Sequence, residues 1–263
     1  VLIADDGDDW GALVTSANPH DASSAHTNVA LSFSGPAVWD LLQTENAVLQ
    51  LSGREAADVQ VAAPAQAPGT SVQVLTERAI KQAALRIIEG GRRNERLSLA
   101  TFYLSDRDII GALKLARRRD VALRVLLDPN KDAFGNPKFG IPNRAVAHEL
   151  RNAGVEVRWV HTHGEQCPTK MILHENMSTE ALILLGSANL TRRNLDNFNL
   201  ETNVLVRTQA STKVLKDAKF HFDLLWYNQP GRVFSVPYDD YADESLIKRW
   251  LSRFMEASGF STF

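Results

Sequence analysis

A layered α/β fold, with a sheet, flanking helices and a duplicated unit whose first copy is incomplete, is what the sequence predicts, and two observations predict it. Between residues 75 and 160, segments with helical periodicity alternate with short apolar runs of strand length, the pattern of βαβ-type layering. The opening residues and the middle of the chain also carry one arrangement in one order: apolar run, acid, apolar run, then Thr15-Ser-Ala-Asn18 or Gly186-Ser-Ala-Asn189. Next come His26-Thr-Asn28-Val or Glu201-Thr-Asn203-Val, and then a helix-like segment, Ala37 to Leu49 or Ser211 to Trp226. A four-residue turn recurs by chance, but not with its neighbours in register. At 263 residues and 44% hydrophobic composition the chain can bury a sizeable core, as one large domain or two unequal ones.

Taken in order, Val1-Leu-Ile-Ala4 is an apolar run stopped by the turn-forming cluster Asp5-Asp-Gly-Asp-Asp9, and Trp10 to Val14 returns as a second strand. Ser52 to Ser71, Ala-rich with Gly53, Pro64, Pro68 and Gly69, has linker composition. Leu75 to Glu89 reads as an amphipathic helix stopped by Gly90-Gly91. Leu97 to Leu104 is a buried strand, Ser105-Asp-Arg-Asp108 a capping box opening a helix through Arg119, and Val121 to Leu127 the next strand. Asp128 to Pro142 is a long loop leaving a strand's carboxyl end, where α/β sheets place ligands, so Asp128 reads either as a substrate contact or as part of a surface turn. Asn143 to Asn152 supplies a helix ended near Gly154, and Val155 to Val160 a strand. In the aromatic tail, Leu246, Trp250, Leu251 and Phe254 recur at helical spacing and are expected to pack on the preceding domain rather than stack on a ligand. The expected domains are therefore a first unit at 1–52, a linker at 53–72, a second unit at 73–229 and a tail at 230–263.

Composition narrows the function. The net charge of −2, from 29 basic and 31 acidic residues, provides no global field for nucleic acid or anionic lipid, so phosphate binding must be local and extended nucleic-acid contact is not expected. A single cysteine, Cys167, excludes an internal disulfide, and nothing resembles a zinc cluster. No apolar run approaches the roughly 18 residues of a membrane span, and the opening residues lack a signal peptide's charged head and apolar length. As written, the chain reads as soluble.

The chemistry is concentrated in Cys167-Pro168-Thr169-Lys170-Met-Ile-Leu-His-Glu175 and the Gly186-Ser-Ala-Asn189 turn. A lysine leading an apolar run, an acid five residues on and a small polar turn read as strand, turn, strand and polar loop, with polar groups gathered at one end as an anion site. This pattern resembles the phospholipase D superfamily signature H-x-K-x-x-x-x-D followed by G-S-x-N, with Lys170, Glu175, Gly186, Ser187 and Asn189 on its positions and Pro168 where the family has a histidine. The register places the first unit's lysine just ahead of Val1, so the chain is expected to begin inside the first motif.

The resemblance implies two units facing each other about a pseudo-two-fold axis around one site. It implies attack on phosphorus by one histidine to give a phosphohistidine, protonation of the leaving group by the other, and lysines and asparagines holding the nonbridging oxygens, with no metal or other cofactor. It assigns Lys170, Asn189 and Glu175 to the catalytic set. Lys170, Asn189 and Asn18 become phosphate donors supported by Ser187 and Ser16, and Glu201 the acid that orients a histidine, with His26 as its counterpart. His20 and His163 resemble loop residues of bacterial cardiolipin-synthase-like members and are candidate substrate contacts with Asp128; for His163 a plain turn is an equal reading. Replacement of the missing histidine by His161, His163 or His174 is not expected. The implied function is a phosphodiesterase or phosphatidyltransferase acting on phospholipid head groups, inactive as this chain because both histidines are missing. A noncatalytic phosphate- or lipid-binding scaffold is the alternative, and a nuclease of the same superfamily a third reading. The implied partner is a phospholipid or another phosphodiester; a membrane surface, reached through an upstream region, stays open, as do oligomeric state and location.

Overall fold

Apolar residues fill consecutive positions of the central strands because the sheet they build is covered on both faces. The computed structural model describes the chain apart from residues 6, 8, 19–25, 58–68, 131, 134–135, 138–139, 163–165, 168, 178–179 and 259–263, and the side chains of 131–139. The strands are β1 (Leu2–Asp5), β2 (Trp10–Thr15), β3 (Ala30–Ser34), β4 (Thr70–Thr76), β5 (Arg96–Thr101), β6 (Ala122–Leu127), the short β7 (Asp132–Ala133) and β8 (Asn136–Pro137), β9 (Glu156–Val160), β10 (Met171–Glu175), β11 (Glu180–Gly186), β12 (Thr202–Gln209) and β13 (Ser235–Pro237). The helices are α1 (Pro36–Leu51), α2 (Glu77–Gly90), α3 (Arg107–Arg118), α4 (Asn143–Asn152), the single turn α5 (Arg192–Leu195), α6 (Lys213–Tyr227) and α7 (Leu246–Ser258).

Eight strands form the main sheet in the order β13-β9-β6-β5-β10-β11-β12-β4, with β5, β6 and β9 parallel and the other neighbours antiparallel. Strand alternation sends Ile172, Leu184 and Leu205 to one face, against Ile80 and Ile88 of α2, Ile109 and Leu113 of α3 and Leu150 of α4. Met171, Leu173, Ile183, Val204 and Val206 face the other way, onto Leu215, Phe222 and Trp226 of α6 and onto Ala12, Val14, Phe33, Val38 and Leu41 of the opening residues. The first unit is thus half of a layer and shares a core with the second.

The repeat read from sequence is present in the backbone. Antiparallel β1-β2-β3 followed by α1 reproduces β10-β11-β12 followed by α6. Leu2 pairs with Leu13 as Ile172 pairs with Leu184, and Thr15 pairs with Ala30 as Gly186 pairs with Asn203. This register corrects one equivalence: with Ala30 on Asn203, the residue matching Glu201 is Asn28, two positions beyond His26. The loop ahead of β3 is two residues longer than the match of the similar Thr-Asn-Val strings assumes, and strand pairing overrides the string match.

Three other expectations are corrected. Leu75 lies in β4, not in a helix; the β-branched, alternating Thr70–Thr76 pairs with β12 at the sheet edge, and the helix starts at Glu77. The cap of α3 is Asp106, whose carboxylate accepts from Asp108 N and Ile109 N, each at 3.0 Å, while the Ser105 hydroxyl is taken by Glu256 at 2.8 Å. In the tail, β13 pairs with β9 and Tyr238 stacks on Trp159 at 6.2 Å, but α7 turns its apolar face outward. Its polar side is the anchored one: Ser252 and Glu256 are buried, and Glu256 accepts from Ser105 and from Arg192 N.

Candidate functional site

Lys170 ends the irregular segment that leads into β10 and is 9% exposed. Thr169, immediately before it, donates from its hydroxyl to Thr27 O at 2.7 Å, and Thr27 N donates to Gln166 O at 3.4 Å. The second unit's motif segment is therefore laced to the first unit's loop. The lysine crosses the same seam: its ammonium lies 3.4 Å from Ser16 O, a long contact on which no strong hydrogen bond is built. Burial lowers the Lys170 pKa to about 8, against the opposing pull of the Glu201 carboxylate.

The two serines occupy equivalent positions and make equivalent contacts. Ser187 donates to Glu201 Oε2 at 2.5 Å and accepts from Thr202 N at 3.0 Å. Ser16 donates to Asn28 Oδ1 at 3.4 Å and accepts from Val29 N at 3.0 Å. The second unit adds to this: Asn194 Nδ2 donates to the other Glu201 oxygen, and the Thr191 hydroxyl both caps α5 and bonds Asn194 Oδ1 at 2.7 Å. Gly186 is required here. With φ at +157°, a Cβ at this position would lie 2.4 Å from Thr202 O and 2.5 Å from Asn203 Cα. Asn203 then receives Ala188 N at 3.1 Å, which closes the turn that presents Asn189.

Asn189 is half-buried, and its Oδ1 accepts from Tyr103 N at 3.3 Å, an arrangement that directs the amide NH2 away from that backbone. Asp128 is buried beside the motif segment, accepting from Asn130 N at 2.8 Å and from Cys167 N at 3.2 Å. Burial, and after it the Asp128 charge, raises the Tyr103 pKa, and burial raises the Cys167 thiol to about 11. Asp128 is thus a backbone anchor for the 167–170 segment rather than an exposed loop contact.

Two assigned residues lie elsewhere. Glu175 is at the far end of β10, about 16 Å along the strand from Lys170, where it pairs with Lys219. The expectation that the acid joins the lysine at one end fails because a five-residue strand separates them. His174 is also at that end, bonded through Nε2 to Glu95 at 3.0 Å. Asn18 is exposed at the end of the first unit's turn. His20, His163 and Pro168 lie outside the described residues. What the structure gathers is Lys170, Ser16 and the Ser187–Glu201 pair, with Asn189 and Asp128 flanking. Sequence reasoning missed Asn28, Asn194 and Thr169; only the strand register reveals the first, while Thr191-x-x-Asn194 had a capping signature to find.

A cleft of about 560 Å³ opens beside the seam between β3 and α6. Leu31, Met171, Ile183, Leu185 and Val214 make its wall largely apolar, with Asn28 near the motif and His221 on the helix side. Burial lowers the His221 pKa, disfavouring the charged imidazole there.

A family model described as "Cardiolipin synthase, PLD-like domain" matches residues 85–226. No curated protein sequence matches the chain. Among solved structures, phosphatidylserine synthase of Haemophilus influenzae Rd KW20 is similar with a TM-score of 0.64, at 11% identity over 95% of this chain and 67% of its own. Polyphosphate kinase from Porphyromonas gingivalis is similar at 0.52, with 15% identity over 95% of this chain and 36% of its own. Nuc from Salmonella typhimurium, a phospholipase D family member, covers 64% of this chain and 99% of its own at 19% identity and 0.48. At such identities the likeness is one of fold.

Proposed function

The chain belongs to the phospholipase D superfamily, by a PLD-like domain of the cardiolipin synthase type, and from that premise we propose that it holds the phosphate of a phospholipid head group at the seam between its two units without turning it over by itself. The observation that carries this reading is Lys170: a desolvated cation with its pKa held down to about 8, placed where the two motifs meet. An anion entering there would meet an ammonium stripped of water by burial, gain more than it would from a solvated one, and stabilise the lysine's charged form. Asn189, oriented through Tyr103 N, would add an amide donor, and Ser187 and Ser16 hold the two turns in place rather than touching the ligand. The apolar cleft at Met171 supports a lipid-derived ligand over an extended nucleic acid, as does the net charge of −2.

The lack of turnover rests on composition. Chemistry through a phosphohistidine needs an imidazole within reach of phosphorus and a second to protonate the leaving oxygen. Proline at 168 can neither attack nor carry a proton, and no His-x-Lys occurs anywhere in the 263 residues. His174, committed to Glu95 at the opposite end of β10, does not replace it. The same proline favours the second reading, a phosphate- or lipid-binding member that serves as a scaffold.

Titration calorimetry with glycerol 3-phosphate, paired with hydrolysis of a fluorogenic phosphodiester, tests the proposal. Binding that Lys170→Ala weakens by roughly ten- to a hundredfold, with no turnover, is the expected result. Turnover by the unaltered chain that Lys170→Ala abolishes would refute the noncatalytic reading, and equal binding by wild type and Lys170→Ala would refute the assigned phosphate site.

A further inference from the structure

Helix α7 is built inside out. Over Leu246-Ile-Lys-Arg-Trp-Leu-Ser-Arg-Phe-Met-Glu-Ala-Ser258 the buried positions are Ser252 and Glu256, whereas Leu246, Ile247, Trp250, Leu251 and Phe254 are exposed, from 38% at Leu251 to 78% at Ile247. The outward side chains are ordered among themselves, Trp250 stacking on Phe254 with ring centroids 5.5 Å apart. Its inner side is fixed by Glu256, which accepts from Ser105 Oγ and Arg192 N, each at 2.8 Å, by Arg253 on Glu149 at 3.3 Å and by Met255 against Phe102 and Tyr103. The apolar stripe is therefore held facing outward by contacts on its other side.

The charges around the stripe indicate what it meets. The helix carries Lys248, Arg249 and Arg253, and its single acid, Glu256, is buried. Lys248 pairs with Asp243 at 2.6 Å and Arg253 with Glu149 at 3.3 Å, but the two cations are themselves 37% and 55% exposed and keep further N–H donors for lipid phosphates while holding these carboxylates. The face continues through Arg192, which donates to Ala257 O at 2.7 Å and sits over the Phe198 ring at 5.6 Å. Phe198 and Leu200 are themselves exposed, on the loop that returns from the Gly186–Asn189 turn to Glu201. Aromatic and branched aliphatic residues beside Lys248 and Arg253, with the helix's one acid buried and the exposed Asp239, Asp240 and Glu244 confined to the segment before it, form the surface of an interfacial helix complementary to anionic lipid. A second copy of the chain is the competing occupant, and the oligomeric state measured below separates it from lipid.

The geometry points to α7 as a docking surface for an anionic lipid bilayer, its Trp250 and Phe254 entering the interface and the Phe198–Leu200 loop lying alongside. The inference rests on the helix and not on the phosphate site, and the test separates the two. Co-sedimentation of the full chain with phosphatidylcholine vesicles, with and without phosphatidylglycerol, measures partition, while light scattering follows oligomeric state. Partition into phosphatidylglycerol-containing vesicles is expected to fall roughly tenfold or more in Trp250→Ala/Phe254→Ala, and also in Ile247→Ser/Leu251→Ser. Both variants should keep the wild-type melting temperature, because these side chains are exposed. Added salt should weaken partition, and both apolar variants should bind glycerol 3-phosphate as wild type does. The inference is overturned if the chain does not bind these vesicles, if it binds neutral ones equally, if both apolar variants bind like wild type, if Lys170→Ala alone abolishes binding, or if the variants instead dissolve a dimer.

Discussion

The two units of this molecule share a backbone register and differ in charge. In both, a serine at the end of the middle strand takes an N–H from the returning strand at 3.0 Å and gives its hydroxyl to the side chain one residue earlier. That side chain is Glu201 in the second unit, at 2.5 Å with Asn194 on its other oxygen, and the neutral Asn28 in the first, at 3.4 Å. The comparison separates two jobs. Hydrogen-bond geometry that shapes the turn is kept in both copies, whereas the electrostatic environment of Lys170 is supplied by the second copy's carboxylate. Local shape can be duplicated without duplicating the chemistry.

The largest effect expected from testing this contrast is at Gly186. Gly186→Ala forces a Cβ against Thr202 and Asn203 backbone and should cost roughly 3 kcal/mol or more in urea denaturation. Thr15→Ala, at the equivalent position of the first unit, loses a 3.1 Å hydroxyl bond to Val29 O and should cost only about 1 kcal/mol. Equal effects would mean that the two turns are not built differently.

Next comes Lys170. Its pKa is depressed on folding, from 10.5 toward about 8, so below pH 8 the folded state carries a charge it disfavours and the unfolded state does not suffer for it. Between pH 8 and 10.5 the folded state sheds that proton first, and the penalty disappears. Lys170→Met should therefore raise stability by about 3 kcal/mol at pH 7, with the gain vanishing by pH 10.5, as read from melts across pH. The same variant should lose phosphate binding, which in wild type should fade as pH rises through about 8.

Smaller effects come from the serines. Ser187→Ala removes a hydroxyl from a carboxylate and should cost about 2 kcal/mol, against about 1 for Ser16→Ala, whose acceptor is an amide. Smallest is Asn28→Glu, which gives the first unit the second unit's acid and should move the Lys170 pKa modestly upward. A downward shift would show that Asn28 does not face the seam shared with Lys170.

Most of this architecture was legible in the sequence because the sheet is buried on both sides: Leu97 to Ala100, Leu123 to Leu127 and Met171 to Leu173 leave no doubt about strands in an α/β layer. The repeat was legible for the same reason, as two apolar pairs ending in Ser-Ala-Asn. What was not legible depends on register and orientation. Similar Thr-Asn-Val strings concealed a two-residue difference that only β2–β3 pairing exposes, so Asn28 was passed over for His26. Glu175 follows Lys170 closely in sequence, yet a strand carries it to the opposite end of the sheet. Helical spacing located α7 but could not say which side is anchored, because its orientation is set by Glu256, a buried acid whose partners Ser105 and Arg192 are distant in sequence.

The most direct test is an NMR titration of the Lys170 side chain, ¹³C-labelled at Cε, in the free protein and with glycerol 3-phosphate. A titration near pH 8 that moves upward when the phosphate is added is the expected result, because the anion replaces the hydration lost by burial. A lysine that titrates at its ordinary value of 10.5 and ignores the phosphate would contradict the assignment of the seam as the phosphate site.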